Sequence, residues 1–535
     1  MTSSEPMVVS PAWTRFGTRF RRWAPVGSGT SGGRRPGRAP RWCALLLVGV
    51  ALTLPPAATS ATATAPGAGE APGAGTSASP GAGYLSRPDI DAPALVTTGK
   101  EPPGMLFVTP DGPDQGATRA ALYDDGELVW WSEPAPGRRH FDLEPVTYRG
   151  EPALVVWEGG LAPSGVAPPG GAGTDTEYLV LDQSYQEVAS FSTSGGLTTD
   201  SHDIEFSEDG SHVLLMSYEP TTRDLSPHGG PADATVIDMV VQEQEVATGE
   251  TTFEWRALDH VPVTETQESL SRPGTGGVFD PIHLNSLEYD ADGDILASGR
   301  NTSTVYRIDR DTGEIVWRFG GENSDFAFAD PADMPSAQHD ARRLPDGRLS
   351  VFDNGNGHRP RSSRGAVYAL DEEAMTADLV SSLRPETPVH GPITGSNRHQ
   401  ENGDQLVSFG NTGVIAGFAD GEEVFTAELE DGYMTYRAEF GDWHATPATP
   451  PDVVLTEPAE DGARTAYLSW NGATEIAGWR VEAGPAEDDL RTVATAPKAG
   501  FETAATFVPP ESAEVYRITA LDTSGSPLGS RTVTP

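Results

Sequence analysis

The sequence predicts an all-β protein, a six-bladed β-propeller followed by a small β-sandwich, and three observations predict it. The first is a recurring hairpin pattern: a histidine, an apolar alternation, an Asp-Gly turn, a second apolar run and a polar residue. It reads DPIHLNSLEYDADGDILASGRN at 280–301 and QHDARRLPDGRLSVFDNGN at 338–356. It reads SHDIEFSEDGSHVLLMSYE upstream at 201–219, with a weaker copy, GSNRHQENGDQLVSFG, at 395–410. Asp-Gly between alternating runs marks a hairpin, because glycine supplies the positive φ of a tight turn. The second observation is spacing: the turn glycines Gly210, Gly293, Gly347 and Gly403 are separated by 83, 54 and 56 residues. The two regular intervals lie slightly above the roughly 40–50 residues of a four-stranded blade. The third is that helical periodicity is almost absent.

Taken in order, residues 1–60 hold eight arginines and one acidic residue, with a 12-residue apolar run from Cys43 to Leu54. That run is too short for an ordinary membrane span. A basic stretch, a short apolar core and a small-residue exit describe an export signal with a long basic leader, the alternative being an uncleaved anchor. Arg21-Arg22 fits a twin-arginine signal poorly, and Cys43 precedes the apolar core, which disfavours a lipoprotein anchor. Residues 61–83 are almost entirely Ala, Pro, Gly, Thr and Ser, the composition of a flexible linker.

Residues 84–446 form the expected propeller, in six strand groups centred on 84–135, 138–195, 199–258, 280–321, 338–382 and 395–443. TGETTFEWRALDH (248–260) and TGEIVWRFGG (312–321) supply outer, aromatic strands. Radial sheets of this kind leave short protected edges and surround a central channel. Two intervals, 221–232 and 261–277, read as long loops, which on such scaffolds border binding sites. Residues 447–535, entered through the proline-rich ATPATPP, carry seven short strand patterns at sandwich spacing, with Trp470, Trp479 and Tyr516 as core aromatics. They resemble a fibronectin type III module.

The charge excludes some functions. With 36 basic against 78 acidic residues the formal charge is −42, and the only lysines are Lys100 and Lys498. Such a surface repels nucleic acid and anionic membranes. Cys43 is the single cysteine, so the folded part has no disulfide and no thiolate nucleophile or ligand.

The chemistry gathers on the histidine strands. His202 and His339 lie 8 residues before their turn glycines and His283 lies 10 before, so the three converge on one mouth of the channel if their strands are innermost. His399, 4 before Gly403, does not share the position, and His212, His228 and His358 are expected on loops or solvent-facing sites. An antiparallel hairpin returns to its start, which puts Arg300 beside His283 and Asn354, with Asp353, beside His339. Three imidazoles suit a metal, with Asp203, Asp280 and Asp340 nearby in sequence. Strand alternation, however, turns Asp203 and Asp340 to the opposite face, and Arg300 opposes a bound cation. The guanidinium fork suits sulfate, phosphate or carboxylate. The set is therefore an anion site with one imidazole available as nucleophile or general base, and neither a metal nor a cofactor is expected.

With these motifs the chain resembles the bacterial arylsulfate sulfotransferases. EPALVVWEGG, SHDIEFSEDG, TGETTFEWRALDHV, DPIHLNSLEYDADGDILASGRNTSTVYRID, EIVWRFGG and QHDARRLPDGRLSVFDNGNG match in order across roughly 84–443. The resemblance implies an exported, secreted or cell-surface enzyme that moves a sulfuryl group from a phenolic sulfate donor to a phenol acceptor without a nucleotide donor. It implies that His339 becomes a transient sulfohistidine, that His202, His283 and Arg300 hold the sulfate oxygens, and that Asn285 and Asn354 bind substrate. Two departures stand out: a leading strand domain of some members is missing, and the C-terminal module is additional. The competing readings are a non-catalytic propeller that binds carbohydrate or protein, and a metal-dependent hydrolase or lyase built on the three histidines.

Overall fold

The structure, a computed structural model, describes residues 83–113, 118–160, 175–290, 292–400 and 402–534. The expected export signal, and the linker apart from its last residue, lie outside these residues. Among the described residues the chain is all-β, with one α-helix of four residues, Ala257–His260, and no helix is long and apolar enough to cross a membrane.

Six sheets, antiparallel apart from the short parallel pairing of Ala327–Phe328 with Thr376–Leu383, occupy the stretch from Leu95 to Gly441. Their inner strands are Arg138–Tyr148, Thr199–Phe206, Leu284–Tyr289, His339–Arg343, Ser396–His399 and Met434–Gly441. Each touches the next in this order and the last touches the first, so the six form a closed ring. Three of the interfaces between successive sheets are filled around a fully buried tryptophan: Trp157 with Ile204 and Leu215, Trp255 with Ile282 and Leu287, and Trp317 with Ala341 and Tyr368. Trp255 and Trp317 are aromatic positions of the outer-strand patterns, whereas Trp157 lies on Glu151–Gly160, the strand next to the inner one of its sheet; all three fill the space between sheets that diverge outwards from an axis.

The first and last strand groups are not self-contained, which corrects the sequence boundaries. Met434–Gly441 is the inner strand of the sheet built on Met105–Asp111, Ala121–Asp124 and Glu127–Trp131, while Leu95–Gly99 is the outer strand of the sheet that begins with Ser396–His399. The two ends of the ring thereby interlock through backbone hydrogen bonds. A second difference concerns 221–232. His212–Arg223 pairs with Ala234–Glu245 over its whole length, so a hairpin overshoots the ring and only 224–233 is loop.

Five of the six inner strands carry a β-bulge or register shift, between Phe141 and Glu144, opposite Leu215 and Ser217, between Leu284 and Ser286, between His339 and Arg342, and between Thr435 and Ala438. Asp142, His283 and Asp340 take positive φ there (52°, 58° and 51°). A bulge re-aims side chains, and here it separates a histidine layer from a carboxylate layer below it.

After the ring, seven strands from Asp452–Leu455 to Pro527–Val533 form a three-stranded and a four-stranded sheet. One core joins them, containing Trp470, Trp479 and Tyr516. This unit is bound to the ring by specific contacts. Asn471 accepts from the Trp131 backbone N–H and donates to the Trp131 carbonyl, both at 2.8 Å. The Gly472 N–H donates to Val129 O, and Tyr84 packs on Phe501 with ring centroids 4.4 Å apart.

Candidate active site

His202, His283, His339 and Arg300 gather at one end of the ring. The Arg300 N–H donates to His283 O at 2.9 Å, the contact that the hairpin return requires. The rings of His202 and His283 meet edge to face with centroids 5.1 Å apart. Arg300, His283 and His202 all lie close enough to His339 to act on its charge.

The hydrogen-bond partners of the three rings differ. Asn354 Nδ2 donates to Gly391 O (2.7 Å) and Thr394 O (2.9 Å), which fixes the amide with Oδ1 facing His339 Nδ1 at 2.7 Å. A carbonyl-type oxygen only accepts, and Ala337 O lies on the same nitrogen at 3.2 Å, so Nδ1 carries the hydrogen and Nε2 carries the lone pair. Burial first, then the Arg300 guanidinium, holds His339 well below the ordinary histidine range. The ring is neutral at neutral pH. His202 and His283 differ in their partners: Nδ1 meets a carboxylate oxygen in each, Asp200 Oδ1 at 2.7 Å and Asp280 Oδ2 at 2.5 Å.

Two tyrosines frame His202, one stacked and one edge-on: Tyr218 at 5.4 Å and Tyr436 at 5.6 Å between centroids. Their hydroxyls donate to Leu284 O (2.7 Å) and Asn285 O (3.0 Å), pinning the strand that follows His283. The Arg300 fork is held by Asn301 Oδ1 (2.6 Å) and Pro392 O (3.2 Å), so a segment about 90 residues away borders the mouth. Beside His283 and Arg300 opens a cavity of about 580 Å³, walled by part of the loop expected at 261–277 together with Val278–Pro281.

Both asparagines are engaged with the protein. Both hydrogens of Asn354 and its oxygen are committed, so it orients His339 and has nothing left to donate to a substrate. Asn285 is fully buried, and its Nδ2 donates to Gln338 O at 2.8 Å, tying the His283 strand to the residue before His339. Asp353 does not orient His339 either, because its Oδ2 accepts from His358 and Arg364, both at 2.8 Å. His399 lies on its inner strand against Ser350 Oγ, apart from the mouth. Asp200, Tyr218, Tyr436 and the 389–394 segment were missed. Asp200 had a signal, since Asp-Ser-His and Asp-Pro-Ile-His both place an aspartate shortly before a histidine. Tyr436 had none.

Below the histidines a charged layer fills the axis. Arg437 Nη1 reaches Asp142 (3.0 Å), Glu144 (2.7 Å) and Asp203 (2.8 Å), and Arg342 spans Asp203 and Asp340. The attraction of Arg342 and Arg437 outweighs burial at Asp203, whose pKa is lowered, whereas burial raises that of Asp142. Among the described residues Asp142, Glu144 and Asp203 are also the one trio of metal-ligating side chains whose donor atoms lie within 4.8 Å of one another. A guanidinium already occupies its centre. The three histidines do not form such a trio.

Fold and site together define an all-β protein whose sheets close around an imidazole- and guanidinium-lined mouth. Residues 170–430 match the arylsulfotransferase (ASST) family model, which supports the arylsulfate sulfotransferase family for this chain and aryl sulfotransferase activity in general terms. The match includes His202, His283, Arg300, His339 and Asn354. No curated protein matches. Among solved structures, a protein of unknown function from Bacteroides caccae is 13% identical, covering 63% of this chain and 98% of its own, with a TM-score of 0.38. Virginiamycin B lyase from Staphylococcus aureus, in a catalytically inactive form with quinupristin, is 9% identical over 71% of this chain and 96% of its own, with a TM-score of 0.32. A protein from Lactobacillus plantarum is 12% identical over 75% and 98%, with a TM-score of 0.34.

Proposed function

We propose that this chain is an exported aryl sulfotransferase, a six-bladed propeller with a fibronectin type III-like module, that works through a sulfohistidine on His339. The observation that carries the reading is the contrast in Nδ1 partners. His339 faces a neutral amide, is buried and neutral, and keeps its Nε2 lone pair. That makes it the nucleophile of the three.

In the first half-reaction His339 Nε2 forms an N–S bond as the S–O bond to the donor phenol breaks, and the electron pair leaves with the phenolate. In the second, the acceptor phenol gives its proton to solvent, from which the donor phenolate takes one up; the acceptor oxygen forms the new S–O bond as the N–S bond breaks, and Nε2 regains its lone pair. Arg300, His283 and His202 meet the sulfuryl oxygens, where charge gathers in the transition state, so positioning and charge stabilisation supply most of the catalysis. Leaving and attacking phenols of similar acidity make the exchange reversible.

The test uses the purified chain with an aryl sulfate, with and without a phenol. Phenol-dependent release of the donor phenol, with an acid-labile sulfuryl adduct on His339 when donor is given alone, supports the reading. Release without an acceptor points to a hydrolase, and absence of release points to a binding protein. An adduct on another residue refutes the assignment of His339.

A further inference from the structure

The cavity beside His283 and Arg300 is larger than sulfuryl transfer to or from a simple phenol requires. It measures about 580 Å³, whereas a cavity of roughly 150 Å³ accommodates benzene and about 300–1,000 Å³ encloses a drug-sized ligand. Its walls combine two kinds of surface. Leu270, Pro273, Val278, Phe279 and Pro281 give an apolar lining, and Arg300 and Arg272 give two guanidiniums.

The two arginines are not equivalent. Arg300 is held in the mouth by Asn301 and Pro392, with Glu268 4.0 Å away. Arg272 is exposed and, among the described residues, has no carboxylate within 4.0 Å and no hydrogen-bond partner. The other acidic residue of the cavity, Asp280, is bound to His283. On a chain with a formal charge of −42, Arg272 is a cation in the cavity wall with no carboxylate partner among the described residues.

The wall is also built in advance. Leu270 and Val263 pack on the buried cluster of Leu225, Ala234, Val236 and Phe279, and the Gln267 N–H donates to Asn301 O at 2.7 Å. The loop is therefore tied both to the overshooting hairpin and to the residue beside Arg300. Little ordering cost remains when a ligand enters.

Building on the proposed function, we infer that the cavity binds the aromatic part of an extended aryl sulfate, one of at least two rings, whose far end carries an anionic group that pairs with Arg272. Arg300 holds the sulfuryl end, and the apolar wall covers the rings between the two.

The test compares 6-sulfooxy-2-naphthoate, 2-naphthyl sulfate and 4-nitrophenyl sulfate as donors, in the full chain and in two variants. Arg272→Ala removes the cation. Gly274→Trp adds bulk where a Cβ would meet only Val278 O, at 3.6 Å, on a backbone with φ of −76°. A hydrogen-bonded charge contact corresponds to roughly ten- to hundredfold in affinity. We expect kcat/KM to favour the carboxylated naphthyl donor over 2-naphthyl sulfate, and Arg272→Ala to cut that ratio at least about tenfold, through KM. Gly274→Trp should lower the ratio of either naphthyl donor to 4-nitrophenyl sulfate. Transfer with both ratios unchanged overturns the cavity assignment and leaves the proposed function standing. A second readout is calorimetric binding of 6-carboxynaphthalene-2-sulfonate, which has no transferable group. Binding weakened by Arg272→Ala, with no turnover of any donor, overturns the transferase reading and upholds the cavity. Equal binding by the full chain and Arg272→Ala, or none by either, overturns the pairing with Arg272.

Discussion

Asn354 Oδ1 lies 2.7 Å from His339 Nδ1, and the asparagine is held in that orientation by two backbone carbonyls, Gly391 O and Thr394 O. The amide thus decides which nitrogen of His339 is free to attack. Asn354→Ala should retain the fold and substrate binding while lowering kcat on the order of a hundredfold, the scale of a misplaced reacting group. Single-turnover kinetics with donor alone would show it as slow formation of the sulfuryl adduct. An unchanged adduct rate would show that the amide does not position the ring.

Arg300 should not tolerate lysine. Its two Nη atoms bond Asn301 Oδ1 and Pro392 O, and a point charge on a flexible stem reproduces neither that anchoring nor a bidentate hold on a sulfuryl group. Arg300→Lys should lower kcat/KM at least about a hundredfold. Steady-state kinetics with a single donor measures this, and near-normal turnover would place the oxygen contacts elsewhere.

The pH profile follows from the burial of His339. Because its folded pKa is depressed, with Arg300 the second cause after burial, the nucleophile stays neutral into acid. The acidic limb of the donor half-reaction should therefore lie below the ordinary histidine value of about 6.5. Arg300→Gln should move that limb upward as it slows the reaction. The same shift makes a stability statement. As pH falls through about 6.5 the unfolded chain takes the proton first, so this residue destabilises the native state in acid and stability rises with pH across that window. His339→Asn should flatten the dependence of Tm on pH between about pH 5 and 7, and an equally steep slope would remove His339 as its source.

Arg437 neutralises the axis. Its removal leaves Asp142, Glu144 and Asp203 facing one another within 4.8 Å, and breaking a buried pair this way costs about 3–5 kcal/mol. Arg437→Ala should lower Tm strongly, and calcium should recover part of the loss by taking the vacated position, since three carboxylates suit a hard cation. A Tm unmoved by the substitution would mean the network is neutral in energy.

The C-terminal unit should behave as part of the ring. Asn471 satisfies both backbone groups of Trp131, on the outer strand of the sheet that the last ring strand closes. Asn471→Ala leaves those groups unpaired and should cost about 1–3 kcal/mol, read as a lower urea midpoint with an unchanged slope. An unchanged midpoint would show that the unit is an independent appendage.

The sequence by itself determined the repeat, the hairpins and the pairing of His283 with Arg300 and of His339 with Asn354. These are local: an Asp-Gly turn and an antiparallel return bring residues about 15 apart together through backbone geometry alone. It also carried the aromatic positions that fill the ring. Only the tertiary structure decided how the ring closes, because the exchange of Met434–Gly441 and Leu95–Gly99 joins segments more than 300 residues apart that look like any other strands. The same holds for Tyr436 beside His202, for Pro392 on Arg300, and for Arg437 among the carboxylates. Their partners are chosen by closure of the ring, which the period-two strand pattern does not encode. Asparagine shows the limit most plainly. The sequence could place Asn354 beside His339, but whether its amide met substrate or backbone depended on two carbonyls from a distant loop.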